Sequence, residues 1–536
     1  MMPDTRFAMS SRLLLLLAAG LAAGLMLLPS AASAEPAPPA ETLYQTHCAS
    51  CHGESRLGGI GPALLPGNLS RLEPAAAEGV IRDGRAASQM PGFADQLDEE
   101  QVSDLAEWLY RAPDEEPIWG RDEILASQVV HHRDGSLPDT PRFDADPLNL
   151  FIVVETGDHH ATLLDGDTFE PIHRFETRYA LHGGPKYTPD GRHVFFGSRD
   201  GWITKYDIYN MEVVAEVRAG INMRNIAVSG DGRYVMAANY LPHSLVLFDA
   251  HNLDLMKVYP AQGESGESSR VSAVYAAPPR GSFIAALKDI EEVWEIPWPL
   301  PTEPVVSTGH MATPLAPQRH HDTPNFRVRR IPVPDYLDDF FFDLDYAHVI
   351  GASRGGESDG QGGMVVNLDS GEKVADLPLE GMPHLGSGIT WEHEGRRVMA
   401  TPHLTRAAVS IIDMTTWEVI KTLETDGPGF FMRSHANSPY VWADVFFGPH
   451  RDRVHVIDKA SLEIVETLIP EPGKTAAHVE FDRYGEKLLL SLWEDDGAVI
   501  VYDAESLEEE KRIPMSKPSG KYNVWNKTRY EEGTSH

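Results

Sequence analysis

From about residue 150 onward the chain repeats a short signature, and the period of that repeat leaves few folds open to it. Each copy has an apolar residue, then Asp, then an acid five positions after that Asp. The copies are Leu164-Asp165 with Glu170, Tyr206-Asp207 with Glu212, Phe248-Asp249 with Asp254, Ile412-Asp413 with Glu418, Ile457-Asp458 with Glu463 and Tyr502-Asp503 with Glu508. Val366-Asn367 with Glu372 is a softened copy, and Trp294-Glu295 stands where one unit would otherwise be missing. The markers fall at 165, 207, 249, 295, 367, 413, 458 and 503, and six of the seven intervals lie between 42 and 46 residues. That is the length of one four-stranded propeller blade, whereas a solenoid would show helical periods. The reading is an eight-bladed β-propeller over 146–536.

Within a unit, a strand should end at the Asp, a polar turn follow, and an alternating strand such as Glu212-Val213-Val214-Ala215-Glu216-Val217 return. A second turn signature, Pro189-Asp190-Gly191-Arg192, Gly230-Asp231-Gly232-Arg233 and Arg483-Tyr484-Gly485-Glu486, precedes further apolar runs. The long interval from 295 to 367 holds a Pro-rich stretch, 297–334, read as an insertion on one face of the disc. Residues 113–145, rich in Pro, Asp and Glu, read as a linker.

Ahead of the linker, both cysteines of the chain lie in one run, Cys48-Ala49-Ser50-Cys51-His52, the attachment sequence of a c-type haem. Cys48 and Cys51 would form the thioethers and His52 the axial bond to iron. A zinc site would require further Cys or His at metal spacing, and no second Cys pair exists. A dithiol redox motif belongs beside a βαβ pattern, whereas a short amphipathic helix, 41–47, precedes Cys48. Downstream, Gln89-Met90-Pro91-Gly92-Phe93 offers Met90 as the sixth ligand, with packing as its plain alternative. Residues 97–109 read as a closing helix with Val102, Leu105, Ala106 and Leu109 on one face. The fold class is therefore mainly β: a small α-helical cytochrome c domain, 35–112, followed by the propeller.

Arg6 and Arg12 precede an apolar stretch, 13–28, and Ala32-Ser33-Ala34 has the form of a signal-peptidase site. Residues 1–34 read as a signal peptide, with the mature chain starting near Glu35 in the periplasm; an uncleaved membrane anchor is the alternative. No later segment is long and apolar enough to span a bilayer, so no membrane span is expected in the mature protein. The formal charge of -34 argues against nucleic acid as a partner, because a polyanion would be repelled. It permits steering of a basic partner such as a small soluble cytochrome, though an acidic solvated surface is the commoner explanation of such a charge.

Three further stretches carry a resemblance: Tyr179-Ala180-Leu181-His182, Ser198-Arg199-Asp200-Gly201, and Lys517-Pro518-Ser519-Gly520-Lys521-Tyr522-Asn523-Val524. Together with the amino-terminal cytochrome and the eight units, they resemble the cytochrome cd1 family over nearly the whole mature chain. The resemblance implies a non-covalent haem d1 in the propeller, with His182 binding its iron from the proximal side. It also implies Arg224 and Arg199 as cofactor-binding residues, a guanidinium's paired donors suiting the tetrapyrrole carboxylates. Reductase members of that family use two distal histidines to protonate nitrite. Pro383-His384 resembles one, but Tyr336-Leu337-Asp338-Asp339 stands where the other is expected, and a carboxylate there repels the anion. His320, His321 or His348 could take its place.

That departure turns the resemblance toward the sister branch, the dihydro-haem d1 dehydrogenases, which resemble the stretch from His182-Gly183-Gly184-Pro185-Lys186 through Phe195 to Trp202, and also Asn239-Tyr240-Leu241-Pro242-His243. The implied activity removes two hydrogens from a propionate side chain of dihydro-haem d1, leaves the acrylate of haem d1, and sends electrons to the c haem and an external small cytochrome. Cytochrome cd1 nitrite reductase, in denitrification, would receive the product. A cytochrome cd1 nitrite reductase and a non-catalytic haem d1 carrier stay open as alternatives. His384 and His435, at comparable points of neighbouring units, are assigned to the distal pocket as catalytic residues, because a neutral imidazole accepts a proton near physiological pH. His478 repeats the placement, and each of the three could instead only satisfy inter-blade hydrogen bonds.

Overall fold

The computed structural model describes residues 39–529 apart from 60, 70–71, 86–89, 116, 301–322 and 353–361. The signal-peptide reading, Gln89, His320 and His321 lie outside the described residues. Among those described, no helix is long and apolar enough to cross a membrane.

The amino-terminal helices, Ala40–His47, Ala49–His52, Pro66–Leu69, Pro74–Asp83 and Glu99–Leu109, share one apolar cluster built on Leu43, Tyr44, Ile81, Phe93, Leu97, Val102 and Leu105. The closing helix starts two residues later than its apolar pattern because Asp98 stops it. The Asp98 carboxylate accepts the Gln101 N–H at 2.9 Å, and the Gln101 side chain accepts the Asp98 N–H at 3.0 Å, a reciprocal cap. Its buried face is Val102, Leu105, Ala106 and Leu109, as the spacing requires.

The described strands form eight antiparallel sheets, seven of four strands and one of five. The innermost strands, among them Lys186–Tyr187, Asn222–Val228, Ile389–His393, Met432–Ser434, Ala476–Phe481 and Pro518–Asn523, line the axis. Each runs away from one end of the disc, here called the upper face, and turns back at the lower face. The fifth strand of one blade is Val129–Val130, which pairs with Glu212–Arg218 (Val129 opposite Glu216) and follows the helix Arg121–Ser127. The segment read as a linker is thus laid against the outer edge of the blade that contains Glu212–Arg218.

The repeated signature is a lower-face turn between the third and fourth strands of a blade. The Asp side chain accepts a backbone N–H two residues on, as in Asp249 from His251 (2.8 Å), Asp413 from Thr415 (2.7 Å) and Asp458 from Ala460 (3.1 Å). The chain then passes through a positive φ four residues after the Asp, at Phe169, Met211, Leu253, Trp417, Leu462 and Leu507, before the Asp N–H meets the carbonyl of the acid five positions on. Asn367 builds the same turn with Gly371 at the positive-φ position. Glu295 does not. It lies inside the strand Glu292–Pro297, fully buried, and its carboxylate pairs with Arg280 at 2.9 Å and Arg329 at 2.9 Å. The blade is present at that position, but the turn signature is not. The Pro-rich insertion leaves from the end of this same strand, at the lower face.

Asp458 tests the turn. Its carboxyl is held below the ordinary carboxylate range by the Ser461 N–H at 2.7 Å, with burial opposing. A carboxylate with a depressed folded pKa contributes stability above its unfolded value of about 4 and loses it as pH falls through the folded value. Asp458→Ala is therefore expected to cost about 1 kcal/mol at pH 7, and the gap to the parent should shrink in urea melts at pH 3. An equal gap at both pH values contradicts the assignment.

Candidate functional site

Cys48 follows the helix Ala40–His47, and the single turn Ala49–His52 carries Cys51 and His52 onward from it. Both thiols are free. His52 is buried, which lowers its pKa, and its Nδ1 donates to the Pro62 carbonyl at 2.7 Å. That bond fixes the proton on Nδ1 and puts the ring's lone pair on Nε2, the nitrogen that would face an iron. Gly61 lies against the ring: a Cβ there would fall 2.5 Å from His52 Cε1. Met90 packs on the apolar cluster that contains Cys48, Leu43, Ile81 and Phe93, and the Arg85 N–H holds its carbonyl at 3.0 Å. Two free thiols, an oriented imidazole and a methionine on one apolar cluster fit a covalently bound haem c.

His182 sits at the upper face, between an outer strand and the innermost strand Lys186–Tyr187. Two glycines make that position reachable. Gly183 and Gly184 have φ of +83° and +66°; a Cβ on Gly183 would meet Asn225 Cβ at 2.8 Å, and one on Gly184 would meet the Tyr522 ring at 3.0 Å. The His182 Nδ1 donates to the Arg224 carbonyl at 2.7 Å, so the lone pair is at Nε2. Arg224 Nη1 and Arg199 Nη2 both donate to that Nε2, at 2.8 Å and 2.9 Å. Burial first, then the two guanidiniums, drives the His182 pKa well below its usual value. A neutral imidazole with an outward lone pair, flanked by two cations, suits an iron with carboxylates around it.

His384 lies at the corresponding connection before Ile389–His393 and donates from Nδ1 to the Phe430 carbonyl at 2.6 Å. Its ring packs on Phe430 with centroids 4.3 Å apart. Phe430 meets Phe431 (4.5 Å), Phe431 meets His478 (4.7 Å), and His478 meets Tyr522 (5.2 Å). The ring chain thus runs from His384 through His478 to Tyr522, which borders the glycines beside His182. His478 occupies a bulge in Ala476–Phe481 with φ of +55°, a backbone strain the sequence does not advertise. The Lys521 N–H donates to His478 Nδ1 at 3.3 Å, and Lys521 Nζ reaches the His478 carbonyl and Ser491 Oγ. Burial, then Lys521, Arg433 and Lys527, keeps this imidazole neutral. Lys521, Tyr522 and Arg433 escaped the sequence reading as site residues, although Lys521-Tyr522 stood inside one of its quoted stretches.

His435 is not brought to this face. It follows Met432–Ser434 at the lower end of the strand, where Ser434 pairs with Val441. Its Nδ1 accepts the Asn437 N–H at 3.1 Å, its carbonyl accepts Lys459 Nζ at 2.8 Å, and it abuts Gly485 in the lower turn of the next blade. The upper end of the same hairpin is Asp444, which accepts the N–H groups of Phe430, Phe431 and His478. Strand direction therefore puts His435 at the opposite face from His384 and His478, hydrogen-bonded within its own blade and packed against the next one. His348 also lies at the lower face, paired with Asp343 at 2.7 Å. Asp338 stays at the upper face as an ion pair with Lys288.

Residues 145–314 and 315–527 match the family described as the cytochrome D1 heme domain, and residues 35–109 that of cytochrome C oxidase, cbb3-type, subunit III. The chain is 57% identical over 517 residues to the dihydro-heme d1 dehydrogenase of Pseudomonas aeruginosa, spanning 96% of this chain and 99% of that one. A solved structure of dihydro-heme d1 dehydrogenase NirN in complex with DHE superposes with a TM-score of 0.80 at 56% identity, covering 92% of this chain and 100% of the other. Protein NirF of Stutzerimonas stutzeri is 29% identical over 377 residues, 69% of this chain and 90% of that one.

The close approach at Gly61 generates a test of the haem-c site. Gly61→Ala should leave thioether attachment intact but displace the His52 ring, so the absorption spectrum of the oxidised protein should gain a high-spin component. A low-spin spectrum identical to the parent's contradicts the placement of His52 as ligand.

Proposed function

The chain belongs to the cytochrome d1 family, in its dihydro-haem d1 dehydrogenase branch, and on that footing we propose that it oxidises a propionate side chain of the d1 precursor to the acrylate in the periplasm. It is an oxidoreductase of haem d1 biosynthesis with a covalent haem c and a d1-type tetrapyrrole as its second group. In the proposed reaction two C–H bonds break and one C=C bond forms, releasing two protons and two electrons. Haem c supplies a one-electron acceptor, so a small soluble cytochrome must empty it between electrons. The product then passes to cytochrome cd1 nitrite reductase.

In this reading His182 Nε2 holds the substrate iron, and Arg199 and Arg224 release that nitrogen to face the carboxylates. His384 has its proton on Nδ1, bonded to the Phe430 carbonyl, so its Nε2 presents a lone pair. That nitrogen is suited to receive a proton from the side chain. His478 has the opposite tautomer, its Nδ1 accepting from the Lys521 N–H, so its Nε2–H points as a donor that orients a carboxylate or passes the proton on. Phe430, Phe431 and Tyr522 keep water from these imidazoles. The observation that carries the reading is the gathering of His182, His384 and His478 at one face, each buried or half-buried and each with its tautomer set by a backbone group.

Single replacements test it. His384→Gln and His478→Gln should each bind dihydro-haem d1 with near-parental affinity in an anaerobic optical titration, while turnover of at least one falls by about 100-fold or more. His182→Ala should lose the axial signature of the bound tetrapyrrole, and His435→Gln should turn over as the parent does. Parental turnover in both His384→Gln and His478→Gln contradicts the base assignment.

A further inference from the structure

We propose that Arg218 is a positioning residue for electron transfer, the strut that fixes the haem-c loop against the turn bearing Arg199. The inference rests on the reading above that electrons pass from the tetrapyrrole to haem c. Arg218 ends the strand Glu212–Arg218 at the upper face. Its Nε donates to the Asp200 carbonyl at 2.6 Å and its Nη2 to the Leu57 carbonyl at 2.6 Å. One planar guanidinium therefore clamps two backbones, and its fork geometry is what permits it. The group is itself held: Cζ lies 4.5 Å from the Trp119 ring centroid, the Arg218 carbonyl accepts Trp119 Nε1 at 3.0 Å, and the Arg218 N–H donates to Ser127 Oγ at 2.9 Å.

The two clamped backbones belong one to each redox site. Leu57 and Gly58 lie in the loop that closes on His52: the Gly58 N–H donates to the His52 carbonyl at 2.9 Å, and the Gly61 N–H to the Cys51 carbonyl at 2.7 Å. Asp200 lies in the turn Ser198-Arg199-Asp200-Gly201, in which Arg199 donates to His182 Nε2 at 2.9 Å and its N–H donates to the Ala180 carbonyl at 3.0 Å. The loop and the turn touch directly. Gly58 has φ of +89°, and a Cβ there would stand 3.2 Å from Asp200 Cβ. A small apolar patch, Ala63, Leu65 and Ile221 with Leu57, Trp119 and Leu241, seals the junction around the guanidinium. A bonded route from His52 to His182 thus crosses Leu57, Arg218, Asp200 and Arg199. Tunnelling falls exponentially with separation, so releasing this clamp should slow electron transfer without altering either site.

Two variants of the holoprotein test this. Arg218→Ala removes both bonds; Arg218→Lys keeps the charge but loses the planar fork that spans two carbonyls. Both should load haem c, bind dihydro-haem d1 with parental affinity, and accept an electron from ascorbate at haem c at the parental rate. In an anaerobic single turnover, haem-c reduction after mixing with saturating dihydro-haem d1 should fall by about 10- to 100-fold in Arg218→Ala and less in Arg218→Lys. Pulsed EPR between the two ferric centres should show a broadened distance distribution in Arg218→Ala. Unchanged single-turnover rates in both variants overturn the proposal. If haem c stays oxidised in the parent protein, the dehydrogenase reading itself fails, and the EPR distance then decides: a distribution as narrow as the parent's overturns the clamp.

Discussion

The antiparallel pairing of Pro518–Asn523 with Leu150–Glu155 holds the ring shut and also builds one wall of the site. Ile152 stands opposite Tyr522 and Val153 opposite Lys521, although these residues are separated by almost the whole propeller in sequence. Without it the first blade would lack its innermost strand and present an unpaired edge at the axis. Buried bonds fix the register: Ser519 Oγ donates to the Val154 carbonyl at 3.1 Å, and Asn523 Nδ2 donates to Asn149 Oδ1 at 3.1 Å. Because strand side chains alternate, a slip of one residue would turn the Tyr522 ring away from His478. Closure and site geometry are one and the same interaction.

A pattern joins the three upper-face histidines. His182 donates to the Arg224 carbonyl, His384 to the Phe430 carbonyl, and His478 accepts the Lys521 N–H; in each case the backbone partner belongs to the following blade. Blade-to-blade packing therefore sets which ring nitrogen carries the proton. At His182 and His478 burial and neighbouring cations add a second constraint by keeping the ring uncharged. Two imidazoles present a lone pair and one a proton, so the face holds a proton acceptor and a donor at once without any ring having to be charged.

The blade count and period were legible because a turn with a fixed recipe, a side-chain acceptor followed by a positive-φ residue, recurs in nearly every unit. Trp294-Glu295 fitted the period for a different reason: Glu295 is a buried partner for Arg280 and Arg329, and only the spacing is shared. The haem-c motif was legible because its residues are contiguous. The choice between His435 and His478 was not, since both fall at blade spacing. What separates them is that Met432–Ser434 ends just before His435, whereas Ala476–Phe481 carries His478 near its upper end on a bulge. Strand direction and a bulge are properties of pairing partners far away in the chain. The same holds for Arg218, whose two carbonyl acceptors lie on separate loops, and for Arg433 and Lys527, which both pair with Glu480.

The account turns on chemistry done to a tetrapyrrole side chain. Anaerobic incubation of the holoprotein with dihydro-haem d1 and an oxidised small cytochrome, followed by mass spectrometry of the extracted tetrapyrrole, measures it directly. The account predicts a product lighter by two hydrogens, formed with two equivalents of reduced cytochrome. Recovery of unaltered dihydro-haem d1 bound to the protein would contradict it.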